Sequence, residues 1–332
     1  MFRMLIIGFM GMLMLVSGAL DSFATVVQYQ IVNAGLTGTE IREIRDGKLA
    51  GFRYENSFLG TRNYEQGFIT NITTGVSSTY MYSDGARGVA VSTQIYAIST
   101  TDNNRYGGMA YFGEFLPVRV YGFTRESNGS AAIVEPSGVS NSSVEGIYGN
   151  SSVGWAVQSG KKYGYFQLDS GASASFYRLD YNKPGFGLSS STEATGIYGS
   201  IIVGTTVISG VNYGFAYNAS NGTFSNPYLA SGASATFFND FNDGVIAGTA
   251  TVAGTNTPFI FNPYTDQLEY FTSVEGYSAS GRSYDNGVLA GTITTQTGEK
   301  LGFYANVPEP KSHILVLISA SLGLVYRRRR KS

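Results

Sequence analysis

Chemistry at a protein site needs nucleophiles, bases or metal ligands, and this chain is short of the usual ones. Cysteine is absent, and the only histidine, His313, lies near the C-terminus. Residues 25–310 hold neither type. That excludes Ser-His-Asp and Cys-His nucleophilic sites and the ordinary zinc and copper ligand sets. It also excludes disulfides, so stability has to come from packing and strand pairing. What remains is oxygen and ring chemistry. Asn239-Asp240-Phe241-Asn242-Asp243-Gly244 could gather oxygens around Ca²⁺, but it lacks the spacing and downstream Glu of an EF-hand loop. Asn and Asp before Gly are the common residues of β-turns, and the stretch reads as a turn. Thr101-Asp102-Asn103-Asn104 reads the same way. No cofactor or metal site is expected.

Aromatic residues are the other resource. The chain has 24 Tyr, 21 Phe and one Trp, Trp155. Such rings stack on sugar rings in carbohydrate-binding surfaces, yet at alternating strand positions most serve a core. Trp155 is singled out as a surface-binding candidate. Its slot in the repeat described below is Thr205, Thr249 and Thr292 in other copies. Paired carboxylates support glycoside hydrolysis, but among 22 acids in residues 25–310 the sequence nominates no pair.

The elements that must position these residues are strands. Gly is 43 of 332 residues and charged residues are 14%. Short runs of Val, Ile, Thr, Tyr and Phe alternate with Asn-Gly, Asp-Gly and Ser-Gly turns, the pattern of an all-β domain. The runs repeat. Asp46-Gly47-Lys48-Leu49-Ala50-Gly51, Asp243-Gly244-Val245-Ile246-Ala247-Gly248 and Asn286-Gly287-Val288-Leu289-Ala290-Gly291 are close copies. Looser ones end at Gly154 and Gly204. A Gly-aromatic element follows, as in Tyr163-Gly164-Tyr165 and Tyr213-Gly214-Phe215. A period of 40–45 residues in an all-β chain predicts propeller blades of four strands. Six blades are expected and seven is the alternative; paired sandwiches or an open solenoid would use the same unit. One copy is placed at Asp84-Gly85-Ala86-Arg87-Gly88-Val89, followed by Gly108-Met109-Ala110-Tyr111, with an insertion within 112–145.

The two ends read as addresses. Arg3, an apolar run from Met4 to Val16 and the small residues around Ala24 form a secretory signal pattern, residues 1–24, cut after Ala24. At the other end, Pro308-Glu309-Pro310 precedes an apolar stretch from Ile314 to Tyr326 and then Arg327, Arg328, Arg329 and Arg330. An apolar run before a basic cluster is a membrane stop signal, and this one is short for a permanent span. Residues 307–332 resemble the PEP-CTERM sorting tail of Gram-negative bacteria that make exopolysaccharide. That resemblance implies an exosortase partner, transient membrane contact through a helix near 314–326, and a secreted or surface location. The repeats also resemble in part the extracellular HAF repeats, through Gly196-Ile197 and Asn242-Asp243-Gly244.

Residues 25–310 carry 15 basic and 22 acidic side chains, a net of −7. Nucleic acids and anionic membranes both require clustered positive charge, so neither is an expected partner. The expectation is an exported domain, residues 25–306, acting as a non-catalytic scaffold or binding module among exopolysaccharide and surface proteins. The alternatives are a carbohydrate-active lyase or hydrolase on the same fold, which requires buried acids with raised pKa at the axis, and an adhesin.

Overall fold

The structure is a computed structural model and describes residues 25–26, 30–32, 38–56, 63–84, 87–99, 101, 105–113, 119–168, 175–272 and 277–307. The signal segment with Ala24, the whole tail from Pro308 through Arg330, Asp102 to Asn104, and Gly85-Ala86 lie outside these residues.

Two short strands come first, β1 (Thr25–Val26) and β2 (Gln30–Val32). The first blade is β3 (Thr39–Arg45), β4 (Lys48–Asn56), β5 (Asn63–Asn71) and β6 (Ser77–Tyr80). A small ribbon of β7 (Ser83–Asp84) and β8 (Gly88–Val89) follows. The second blade is β9 (Ser92–Ile98), β10 (Tyr106–Phe112), β11 (Arg119–Arg125) and β12 (Ala131–Val134). The third is β13 (Asn141–Tyr148), β14 (Ser151–Gln158), β15 (Lys161–Leu168) and β16 (Ser175–Leu179). The fourth is β17 (Ser189–Tyr198), β18 (Ile201–Ile208), β19 (Val211–Asn218) and β20 (Thr223–Phe224). The fifth is β21 (Ala233–Asn242), β22 (Val245–Val252), β23 (Thr255–Asn262) and β24 (Gln267–Thr272), with β1 added in parallel at its edge. The sixth is β25 (Ser278–Asp285), β26 (Val288–Thr294) and β27 (Lys300–Asn306). Its fourth strand is β2, from the other end of the chain.

The first strands of neighbouring blades touch in sequence around the molecule, and β25 touches β3 to close the ring. This is a six-bladed propeller with its six first strands around the axis. Closure abolishes all but the outer sheet edges. The β2 strand fastens the circle by joining sequence-distant ends.

One bulge recurs in every blade, and in the first, fifth and sixth blades an Asp-Gly or Asn-Gly turn adjoins it. At the β21–β22 hairpin Asp243 and Gly244 both have positive φ, 44° and 81°. That is the turn whose twist matches paired strands, and Asp or Asn followed by Gly suits it. Just inside each hairpin the first strand carries a one-residue bulge opposite the repeat glycine. The bulge drives a carbonyl toward that glycine. A Cβ on Gly204 would lie 1.9 Å from the Glu193 oxygen, and one on Gly291 1.9 Å from the Ser280 oxygen. No side chain fits there, which is why the repeat is written around glycine.

The residues flanking the bulge face the gaps between blades. Ile41 and Ile44, Val144 and Ile147, and Phe238 and Phe241 are buried. The third-strand glycine lets the next blade approach: a Cβ on Gly67 would meet Ile95, and one on Gly302 would meet Ile41. The aromatic after it fills the core, as Phe68, Phe123, Tyr165, Phe215 and Phe303 do, and so does Phe259 after Pro258 in the fifth blade, all fully buried. Each such ring withdraws enough apolar area to contribute about 2–3 kcal/mol.

One expectation is corrected. The second blade's repeat glycine is Gly108, opposite Ile95, and its Gly-aromatic element is Gly122-Phe123. Asp84, Gly88 and Val89 belong not to a blade copy but to the β7–β8 ribbon. The extra residues therefore lie between β6 and β9 rather than within 112–145. The misreading arose because Gly108-Met109-Ala110-Tyr111 also carries the Gly-x-x-aromatic signature of a third strand.

Candidate axial site

The bulge places one additional residue per blade, and the six are Arg42, Tyr96, Glu145, Thr195, Asn239 and Arg282. Each stands between two buried core positions, so its side chain takes the opposite direction, toward the axis. Their mutual electrostatics agree. Arg282 feels Arg42, Glu40, Glu145 and Tyr96, groups from the first, second and third blades. Only the axis brings side chains of those blades within reach of the sixth.

In two blades this residue has a structural task. Thr195 Oγ1 donates to the Phe238 carbonyl at 2.7 Å, and Asn239 Nδ2 donates to the Gly281 carbonyl at 2.6 Å. Each ties its blade to the next one. The other four are long or charged, and they form a cluster.

Arg42 pairs with Glu40 at 3.2 Å and lies over the rings of Tyr96 and Phe52, 4.7 and 5.3 Å from their centroids. Glu40 also accepts from Tyr54 Oη at 2.9 Å and from Lys300. Burial opposes its charge, but Arg42 and Lys300 outweigh it and hold Glu40 below the usual carboxylate range. Glu145 Oε1 accepts from Ser143 Oγ at 2.6 Å and from Trp155 Nε1 at 2.9 Å. Burial pushes Glu145 above the usual range, and Glu65 shifts the same way for the same reason. Tyr96 Oη donates to Gln94, and burial raises its phenol well above normal. Burial raises the neighbouring Tyr111 to about 12.

Arg282 differs from these in its missing counter-charge. Its Nε is sealed from solvent and has no partner among the described residues, as is also true of Arg42 and Arg45, which do have carboxylates on their Nη2 atoms. No ion pair among the described residues involves Arg282. Burial, and then the charge of Arg42, push it down to about 10.

The wall around this cluster is lopsided. The residue after the repeat glycine is Phe52, Met109 and Trp155 in the first three blades but Thr205, Thr249 and Thr292 in the last three. The large ones pack with Tyr54, Tyr96, Tyr111 and Val120 in a single cluster. The threonines at 249 and 292 bond to the Gly281 and Ile41 carbonyls of the next blade. One half of the axial wall is thus aromatic and the other is small and polar. Trp155, singled out in the sequence, sits in the aromatic half, with Lys162 over its ring at 4.6 Å. Lys162 in turn pairs with Glu193 at 2.7 Å.

A second polar layer lies at the hairpin end of the first strands. Arg45 Nη2 pairs with Asp240 at 2.8 Å and Glu43 at 2.9 Å. Ser283 Oγ donates to Asp240 at 2.7 Å, Asn242 Nδ2 to Asp285 at 2.8 Å, and the Asp46 amide to Asp285 at 2.7 Å. This network joins the fifth, sixth and first blades, where the ends of the chain meet. Asp240 and Asn242 are therefore parts of the seam. Among the described residues no group of three His, Cys, Asp or Glu side chains is placed to hold a metal ion.

Sequence reading missed the cluster of Arg42, Tyr96, Glu145 and Arg282, although a signal was present. In five blades the bulge residue is nine positions before the repeat glycine, from Arg42–Gly51 to Arg282–Gly291. Aligning the copies on glycine would have exposed that column.

No family model and no curated protein sequence matches the chain. Solved structures do match in fold. TolB from Acinetobacter baumannii aligns with a TM-score of 0.50 and 14% identity over 79% of this chain, which spans 65% of that protein. Pyrococcus horikoshii acylaminoacyl peptidase aligns with a TM-score of 0.51 and 10% identity over 85% of this chain, which spans 53% of that one. At such identities the likeness is one of propeller architecture.

Proposed function

We propose that the chain is an exported, exosortase-sorted protein whose propeller is a non-catalytic binding scaffold for extracellular saccharide. The observation that carries the binding reading is the half-buried pair Tyr111 and Trp155, backed by the buried Phe52 and Tyr96, beside charged side chains at the axis. Apolar ring faces with a few convergent polar groups are what a saccharide requires. The export reading rests on the two ends of the sequence, and the fold is compatible with it. β1 begins at Thr25, directly after the small-residue site. The last strand ends at Asn306, and Val307 is fixed by a bond from its amide to the Gly287 carbonyl. Loss of both terminal segments would leave every strand in place.

The test is a glycan screen with the full chain, followed by Trp155→Thr. Saccharide binding that weakens in the variant supports the reading; a blank screen removes it. Fractionation of cells with the tail intact or with Arg327 to Arg330 replaced by Ser tests the sorting step.

A second reading is favoured by Glu145. A half-buried carboxyl that holds its proton more tightly than usual, beside ring faces, is what a general acid of glycoside cleavage needs. Incubation of bound glycan with the wild-type chain and with Glu145→Gln separates the two. Products from the wild type only would make the protein an enzyme. Intact glycan with both leaves it a binder.

A further inference from the structure

We propose that the axial cluster recognises a carboxylate on its saccharide, with the guanidinium of Arg282 as the principal contact and Arg42 beside it. This rests on the saccharide-binding reading above and adds the ligand's charge class.

A guanidinium withdrawn from water loses hydration, and a fold recovers that loss only by giving it an anion and acceptors. Arg45, at the other end of the first strands, shows the recovered case: its Nε is unpartnered too, but two carboxylates lie within 2.9 Å of its Nη2. Arg282 has no such carboxylate. No ion pair among the described residues involves it, its Nε is sealed and unpartnered, and its strongest charged neighbour is another cation, Arg42. Arg42 has Glu40 but likewise leaves its Nε unpaired. In the fourth and fifth blades the same column holds Thr195 and Asn239, which knit blade to blade. The sixth blade could have kept such a residue; it presents an unfilled cation instead.

The geometry of a guanidinium selects the anion. Its planar fork matches two oxygens in one plane. Glu40 and Glu145 lie in the same cluster, so a singly charged carboxylate is repelled less than a phosphate dianion. Ring faces of the half-wall would hold the sugar that carries it. The ligand class is therefore an acidic saccharide of the uronate type, bound with its carboxylate on the Arg282 side and its ring against the aromatic half.

The experiment is titration calorimetry on the full chain with three probes: a galacturonate trimer, its methyl ester, and inorganic phosphate as competitor. The proteins are the wild type, Arg282→Gln and Arg282→Lys, each checked for an unchanged melting temperature. The expected result is binding of the acid, weakened about ten- to a hundredfold by esterification or by Arg282→Gln. Arg282→Lys, which keeps the charge without the fork, falls between. If Arg282→Gln does not fold, the lysine variant and the ester carry the test. Equal affinity for acid and ester, unaffected by Arg282→Lys, overturns the carboxylate assignment but leaves the saccharide reading intact. Phosphate that binds more tightly than the trimer and displaces it also overturns it. No binding of either trimer overturns both.

Discussion

Arg45 and Asp240 are 195 residues apart in the chain and 2.8 Å apart in space. One belongs to the first blade and the other to the fifth, with the sixth between them. Their contact is possible only where the first strands converge, at the seam where the ring closes.

Loss of this cation should be severe. Arg45→Ala strands Asp240 and Glu43 as buried carboxylates without a counter-charge. The expected penalty is about 3–5 kcal/mol in urea unfolding, since removing one partner of a buried pair leaves the other uncompensated. A loss below 1 kcal/mol would mean that the seam does not depend on the pair.

The same layer predicts a pH dependence. Arg45 faces Glu43, Asp240 and Asp285, more negative charge than it can neutralise, and burial holds the Glu43 carboxyl well above its ordinary value. A folded-state pKa above the unfolded one means that the native state holds the proton more tightly. The associated stability is complete below the ordinary glutamate range and declines as pH rises toward the shifted value. Glu43→Gln should remove that decline. Melting curves of both proteins from acid to neutral pH are the check, and parallel curves would refute it.

The repeat glycines are a different kind of constraint. Gly204→Ala would bring its Cβ to 1.9 Å from a backbone oxygen that cannot move without unmaking the bulge. We expect a loss of at least about 3 kcal/mol, at the upper end of overpacking effects. Trp155→Thr should cost less, about 1–2 kcal/mol, because what goes is a half-buried ring and its bond to Glu145 while the backbone of the slot is one that accepts Thr in three blades. Denaturant midpoints of the two variants should separate clearly, and coincident midpoints would contradict this.

These cases show how the sequence carried the fold. Asp-Gly and Asn-Gly turns and the glycine of each second strand mark blades by local chemistry, so five of the six were legible. The second blade was hidden because Gly108-Met109-Ala110-Tyr111 fits two slots of the repeat, and pairing with Ile95 decides between them. The axial cluster was hidden for another reason. Arg42, Tyr96, Glu145 and Arg282 share a column but no residue type, and the bulge that reverses their direction breaks the two-residue alternation. Trp155 was found because it departs from an otherwise constant slot.

Ring closure gives a further prediction. β2 supplies the fourth strand of the last blade, pairing Ile31 with Phe303. A chain beginning at residue 34 should lose cooperativity and self-associate through the bared edge of β27, while one beginning at 27 should not. Light scattering during thermal unfolding distinguishes the two; identical behaviour would deny β2 its role.

Glu145 ties the site to pH. Its carboxyl is held above the ordinary range by burial, so it gains its charge at a higher pH than an ordinary glutamate does. A bound carboxylate should then be repelled. Galacturonate affinity should fall with rising pH in the wild type and stay level in Glu145→Gln.

The most direct measurement is the position of a bound sugar. A crystal of the protein grown with the galacturonate trimer should show a carboxylate on Arg282 and a ring against Trp155 or Tyr111. Ordered sugar on the outer strands, with the axis empty of it, would contradict the account.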